Sequence, residues 1–425
     1  MPSPEDPRFP VRGPTRSSVF SEPREAGAGS TVEPQEAGGR AERGGVGPSR
    51  SASGRAARRI VQGLFLEAGI RVNGTAPHDP QVSDARFYRR VLRDGSLGLG
   101  ESYVEGWWEA EEIDGLFHRV VAAGLLQHAR GRRVLAAASW LGRLSNPQSR
   151  RRAAQDAKRH YEKGIDLFQA MLDRRMTYSC GYWKDARTLD EAQEAKLDLV
   201  CRKLQLREGQ TLLDIGCGWG SLVGYAAERY GVRATGITVS PEQAEVAEAT
   251  CRALPVEIRV QDYRELRGQY DTVVSVGMLE HVGPRNYRSY MEVVRRSLAP
   301  DGLSLLQTIT GNETTRAIDP WIARYIFPGA VLPTLSQIAG AAEGLLVIED
   351  VHGFGPDYDR TLLAWHRRFE EAWLGLRDRY GEQFRRMWRY YLLSCAGTFR
   401  ARGIQVLQVL LTPPGRVRPD GANVR

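Results

Sequence analysis

The chain has 425 residues, 42% of them hydrophobic and 26% charged, with a net charge of +8. That length and apolar share support a sizeable core, two domains and a tail, and the basic balance favours an anionic partner, either nucleic acid or an anionic membrane face. The sequence carries no run of roughly 18 apolar residues, no secretory-signal core and no C-x-x-C pair among its five cysteines, so a cytoplasmic protein, soluble or peripheral, without a metal or disulfide framework is expected.

Residues 1–56 are rich in Pro, Gly, Ser, Arg and Glu and predict a disordered tail of mixed charge. A small domain is expected over 57–150. Helical spacing over 59–70 puts Ile60, Leu64, Leu66 and Ala68 on or near one face. Residues 71–74 read as a strand entering a turn, 87–93 as a short amphipathic helix, and the glycines of 95–103 as tight turns. Trp107 and Trp108 suit a packed anchor or an interfacial belt, with core packing expected for one of them. Residues 120–144 set Val120, Val121, Leu125 and Leu126 beside Arg130, Arg132, Arg133 and Trp140. This suits an interfacial helix, and equally a packing helix with a solvated basic face. A basic helical linker covers 151–171. The aromatic stretch 176–183 reads as a pocket lining, and 190–204 as a helix with Leu189, Ala192, Leu197 and Val200 on its apolar face.

From Thr211 the pattern alternates strand and helix. Strands are predicted at 211–215, 233–238, 256–260, 270–276 and 302–308. Helices are predicted at 221–230, at 285–298 and after Ser240, which caps a helix with Pro241 first and Gln243 three beyond the cap. This is an α/β fold with a doubly wound parallel sheet, whose ligands sit at the C-terminal strand ends. The first strand runs into Asp214-Ile215-Gly216-Cys217-Gly218-Trp219-Gly220. Its alternate glycines let backbone approach a ligand, and the spacing is not the dinucleotide G-x-G-x-x-G. The second strand ends in Thr238-Val239-Ser240 with no acid, which argues against a nicotinamide cofactor. An insertion at 320–328, a helix from about 334, a strand at 345–351, helices at 361–380 and 382–402, a last strand at 406–411 and a flexible tail at 416–425 complete the chain.

The turn at Asp214–Gly220 resembles the nucleoside-binding turn of S-adenosylmethionine-dependent methyltransferases. Over about 57–412 the chain resembles the cyclopropane-fatty-acyl-phospholipid synthases. The resemblance rests on Asn73-Gly74, the 95–103 stretch, Gly106-Trp107-Trp108, Tyr178-Ser179-Cys180, Leu213 to Gly220, Val276 to Gly283, Phe327-Pro328-Gly329 and Ser394-Cys395-Ala396-Gly397. It implies a seven-stranded methyltransferase sheet, a small mostly helical N-terminal lipid-binding or dimerisation domain, and a catalytic domain over 151–415. It further implies methylene transfer from S-adenosylmethionine to a cis double bond of an unsaturated phospholipid, at the anionic inner face of the cytoplasmic membrane, by a homodimer. Bound bicarbonate takes the proton that ring closure releases.

By that resemblance Glu280 holds the bicarbonate, and Tyr358 and the Cys180 turn complete the cradle. Cys395 matches a cysteine regarded as catalytic in the family, although its own surroundings in sequence read as a simply buried thiol. Gly216, Gly218 and Gly220, with Asp214 ahead of them, meet the amino acid and ribose of the cofactor. Tyr178 and Ser179 meet its carboxylate, and Thr238, Gln243, Gln261, Asp262 and Tyr263 surround ribose and adenine. His281 reads as structural. Two positions depart from the family: Gln307 replaces a usual His, and Ile165 a usual Asn. A Gln donates hydrogen bonds but carries no proton, so a methyl branch in place of a ring, or a catalytically weak lipid-surface module, stays open. A nucleic-acid methyltransferase is disfavoured, because Gly277-Met278-Leu279-Glu280 stands where an Asn-Pro-Pro-Tyr motif is needed.

Overall fold

The computed structural model describes residues 50–125, 164–420 and 423–425. The expected N-terminal tail, most of the 120–144 helix and the start of the linker lie outside the described residues.

The central sheet contains β3 (Thr211–Ile215), β4 (Arg233–Thr238), β5 (Val256–Val260), β6 (Tyr270–Val276), β7 (Leu298–Gly311), β8 (Val347–Gly353) and β9 (Ile404–Thr412), in the order β5-β4-β3-β6-β7-β9-β8. Strands β3 to β7 pair in parallel, whereas β9 lies antiparallel between β7 and β8. The first four strands have the bounds predicted from the sequence. The order reverses between β3 and β6, and the crevice outside their C-terminal ends is where such sheets take ligands.

Helices cover the sheet. α6 (Leu189–Lys203) opens with a Thr188–Glu191 capping box, α7 (Ser221–Tyr230) follows β3, α8 (Pro241–Cys251) follows β4, and α9 (Tyr287–Ser297) precedes β7. Ser240 accepts from the Gln243 N–H as expected. Gln243 does not close a reciprocal box. Its side-chain oxygen takes the Thr238 hydroxyl at 2.7 Å.

The N-terminal helices are α1 (Arg50–Glu67), α2 (Arg86–Asp94), α3 (Ser96–Val104) and α4 (Ile113–Ala122). Two expectations fail here. Residues 71–74 form a turn, with Asn73 at φ 59° and its Oδ1 accepting from the Val82 N–H at 2.6 Å. The strand lies later, as β1 (Gln81–Val82) paired with β2 (Trp108–Glu109). Residues 96–104 are helical, and the glycines inside them serve close packing: a Cβ at Gly98 would fall 2.5 Å from the Arg90 carbonyl oxygen, and one at Gly100 would fall 2.4 Å from Trp321. Gly95, at φ 60°, does turn the chain between α2 and α3. Trp108 is fully buried, and Trp107 lies half-buried under Arg86 and Arg90.

Three further helices follow: α5 (Ile165–Met171), α10 (Pro320–Tyr325) and α11 (Leu335–Ala342), the last capped by Thr334. The long α12 (Pro356–Arg400) contains both predicted C-terminal helices, joined at Gly381, which alone leaves the helical region with φ 74° and ψ 163°. α12 begins earlier than expected and takes Tyr358 into its first turn. Aromatic rings join it to the N-terminal helices and to α10: Tyr390 lies 5.6 Å from Tyr103, 5.4 Å from Phe117 and 4.5 Å from Trp321.

Candidate active site

A cavity of about 220 Å³, many times the room one water needs, opens at the C-terminal ends of β3, β4 and β6. Its floor is the β3 turn. Gly216 and Gly218 hold φ 92° and 57°, and a Cβ at Gly216 would press within 3.1 Å of Met278. Nothing lies near the Gly218 Cα, so there the positive φ alone asks for glycine. Tyr178, Ser179, Asp214, Thr238, Gln243, Gln261, Asp262 and Tyr263 also line the cavity. Gly220 does not. It caps α7 behind the wall, where a Cβ would lie 3.0 Å from Ala247, so it serves contact between α7 and α8. Ile165 opens α5 and does not line the cavity.

Asp214 is 2% exposed, and its Oδ1 has no hydrogen-bond partner among the described residues. Burial pushes its carboxyl up to about 7, against the pull of Lys196. Asp262 caps the following 3-10 turn and pairs with Arg264 at 3.0 Å. Tyr178 stands in an aromatic wall, 5.1 Å from both Phe168 and Trp365, and its hydroxyl meets that of Tyr391 at 2.9 Å.

The other candidates gather beside this cavity rather than in it. Glu280 sits in a 3-10 turn after β6. Its Oε1 accepts from the Ile309 N–H of β7 at 2.6 Å, and its main-chain oxygen accepts from Val331 N–H at 2.9 Å. The second carboxyl oxygen, Oε2, is buried without a partner among the described residues. Burial pushes this carboxyl up to about 7 despite the Ile309 bond. Burial also lifts the Tyr358 phenol well above its ordinary value, and Cys180, Tyr178, Glu280 and Cys395 all add to that effect.

Neither cysteine is poised as a nucleophile. Burial raises the Cys180 thiol far above its usual range and pushes Cys395 up to about 12. Cys180 instead donates to the Gly181 carbonyl oxygen. Gln307, on the same face of β7 as Ile309, accepts from Gln408 Nε2 at 3.0 Å.

Lys196, Gln193 and Gln408 escape the sequence reading. Lys196, His281 and Trp219 line the cavity, His281 with its ring 6.2 Å from that of Phe327. Gln193 and Lys196 did leave a signal: they interrupt the apolar stripe of Leu189, Ala192, Leu197 and Val200 on α6.

Residues 148–409 match the family described as mycolic acid cyclopropane synthetase. The cyclopropane-fatty-acyl-phospholipid synthase of Escherichia coli is 51% identical over 358 residues, covering 83% of this chain and 93% of that protein. The tuberculostearic acid methyltransferase UfaA1 of Mycobacterium tuberculosis is 34% identical over 407 residues, covering 87% of this chain and 93% of that protein. The solved structure of the cyclopropane synthase MmaA2 from Mycobacterium tuberculosis has a TM-score of 0.58 at 32% identity, covering 61% of this chain and 97% of that one. That of mycolic acid cyclopropane synthase CmaA1, complexed with SAH and CTAB, has a TM-score of 0.57 at 31% identity, again covering 61% and 97%. The fold, the strand-end cavity and these matches agree, and the chain belongs to the mycolic acid cyclopropane synthetase family of S-adenosylmethionine-dependent enzymes.

Proposed function

We propose that this enzyme transfers a methylene group to the cis double bond of unsaturated phospholipid acyl chains, forming cyclopropane fatty acids. The observation that carries the reading is the buried Oε2 of Glu280, without a partner among the described residues, on the segment whose Gly277, Met278, His281 and Val282 line the cavity. The reaction converts an alkene and a transferred methyl into a three-membered ring and one proton. It therefore needs a proton acceptor and a wall against water.

S-adenosylmethionine, when bound, supplies an electrophilic sulfonium methyl. Tyr178, Ser179, Asp214, Gly216 and Gly218 hold its amino acid and ribose ends, and Thr238, Gln243, Gln261, Asp262 and Tyr263 its nucleoside. Bicarbonate, when bound, supplies the base. Glu280 fits it on two counts: Oε2 has an open acceptor site for an acid O–H, and the Ile309 N–H fixes the other oxygen. Tyr358, the Cys180 turn and Gln307 complete the cradle, and Cys395 only backs it. The rings of Phe168, Tyr178 and Trp365 exclude water and offer π faces to positive charge on the acyl chain.

No helix among the described residues is long and apolar enough to cross a membrane. Access to lipid is assigned to peripheral docking on the anionic inner face of the cytoplasmic membrane. Helix α1 exposes Ile60 and Leu66 at 45% and 60% alongside Arg55, Arg58 and Arg59, which supports that assignment. The basic charge then serves lipid rather than nucleic acid, and the resemblance supports a homodimer.

Expression in a host lacking the activity, followed by mass spectrometry of its fatty acids, tests the reading. A methylene added with loss of unsaturation is expected. A saturated methyl-branched chain would instead support C-methyl transfer without ring closure, the alternative that the uncharged Gln307 keeps in play. Unchanged lipids alongside retained cofactor binding would overturn both.

A further inference from the structure

Lys196 projects from the middle of α6, 2% exposed, yet it lines the cofactor cavity. A buried ammonium is costly unless it is paired. This one makes a hydrogen bond to Ser179 Oγ at 3.1 Å and no salt bridge among the described residues. An ammonium has three donors, so capacity remains on the cavity side.

The neighbouring carboxylates do not take that capacity. Asp173 spends its oxygens on the Thr177 N–H at 2.7 Å and the Arg175 N–H at 3.0 Å. Asp214 lies near enough to feel the charge, but its Oδ1 stays unpartnered. Lys196 and Asp214 thus line one cavity with no hydrogen bond or salt bridge between them among the described residues. That arrangement suits a zwitterion seated between them.

The reach of Lys196 is set by its own helix. Gln193, one turn earlier, donates to the Ser179 carbonyl oxygen at 2.7 Å and to that of Thr177 at 3.4 Å. It pins the 177–179 segment to α6 and places the Ser179 hydroxyl against the ammonium. The result is two donors, one of them cationic, converging on one wall. They call for an anionic oxygen, and S-adenosylmethionine carries one such group, its α-carboxylate.

We propose that Lys196, with Ser179, is the anchor of the cofactor's α-carboxylate, a role that rests on the cofactor assignment above. The charge-assisted bond forms in a desolvated wall, where it is stronger than a neutral one. It fixes the aminocarboxypropyl arm and leaves the nucleoside to the β3 and β4 ends.

The test compares two ligands by calorimetry on the full chain. S-adenosylhomocysteine has the amino acid arm, whereas 5′-methylthioadenosine lacks it. Lys196→Met keeps the volume and removes a buried charge, so folding is retained, as a thermal melt verifies. The expected result is a rise of tenfold or more in Kd for S-adenosylhomocysteine, with the Kd for 5′-methylthioadenosine within twofold of wild type. Lys196→Gln is read by the same ratio should the Met variant precipitate. An unchanged Kd for S-adenosylhomocysteine, or equal weakening of both ligands, would overturn the inference alone. Wild-type protein that bound neither nucleoside would overturn the cofactor assignment and the inference with it.

Discussion

Glu280 is held at one oxygen and open at the other, and that asymmetry decides what substitution there should do. In Glu280→Gln the side chain keeps its size. An amide oxygen can still accept from the Ile309 N–H, but the other group becomes a donor without charge. Turnover should fall about 10²-fold or more, while S-adenosylhomocysteine still binds, because Glu280 does not line the cofactor cavity. Full turnover in a lipid-based assay would remove Glu280 from the chemistry. Stability should respond in the opposite sense. The folded carboxyl has its pKa raised from 4.5 to about 7, so its stabilising contribution is present below the unfolded value and is lost as pH rises through that window. Glu280→Gln escapes this loss. Its stability relative to wild type should therefore grow between about pH 4.5 and 7 in urea titrations, and a constant difference would show that the carboxyl titrates normally. Gln307 is the second residue of interest. Gln408 donates to its side-chain oxygen, which leaves the Gln307 amide N–H₂ as the donor end for an anion. Loss of that orientation in Gln408→Leu should lower kcat with little change in cofactor Kd, and wild-type kcat would mean the orientation is unimportant.

At the scale of elements, the α3–α10 contact links the N-terminal helices to the site. Gly100 lets α3 lie against Trp321 of α10, and α10 leads directly into Phe327-Pro328-Gly329, which forms one lip of the cavity. A methyl at residue 100 would meet a Trp321 ring that is 1% exposed and has little room to retreat. Gly100→Ala should therefore cost about 1–3 kcal/mol, read as a lower urea midpoint at unchanged slope; a cost within ±0.5 kcal/mol would mean the ring yields freely. The same contact explains a limit of sequence reading. Glycine serves both tight turns and close packing, and only the partner tells them apart. For Gly100 the partner, Trp321, is far along the chain, so a helix read as turns. Strands β3 to β6 were legible to the residue, because each is a short stretch rich in β-branched or apolar residues, alternating with charge in β5, between polar or turn-forming residues. The α6 residues Gln193 and Lys196 were visible as breaks in an apolar stripe. Their meaning was not, since Ser179 and Asp214 come from other elements.

For the whole molecule, the question is whether the N-terminal helices form a separable unit. Their large side chains are not packed among themselves alone. Phe87, Tyr103, Trp108 and Phe117 belong to one buried cluster with Trp321, Trp388 and Tyr390 of the catalytic part. Trp108 stacks edge-on against Phe87 at 6.3 Å and Tyr390 at 6.5 Å, and its Nε1 donates to the Leu99 carbonyl oxygen at 3.0 Å. Polar links run the same way: Arg400 of α12 pairs with Asp114 of α4 at 2.7 Å, and Tyr325 of α10 donates to Glu101 of α3 at 2.9 Å. A core shared this way has no internal boundary at which melting can stop, so residues 54–125 and the sheet should unfold together. Trp108→Phe is a mild enough probe to keep the fold. It removes one of two buried side-chain hydrogen bonds to the Leu99 carbonyl, the Ser102 hydroxyl still donating at 2.9 Å, and opens a void, at a combined cost of about 1–3 kcal/mol. Near-ultraviolet circular dichroism follows the aromatic cluster, and S-adenosylhomocysteine binding follows the strand-end cavity. Both signals should shift to lower urea by the same amount in the variant. An early aromatic transition that left cofactor binding intact would instead mean that the N-terminal helices unfold on their own, and that the shared cluster is a docking interface between two independently stable parts.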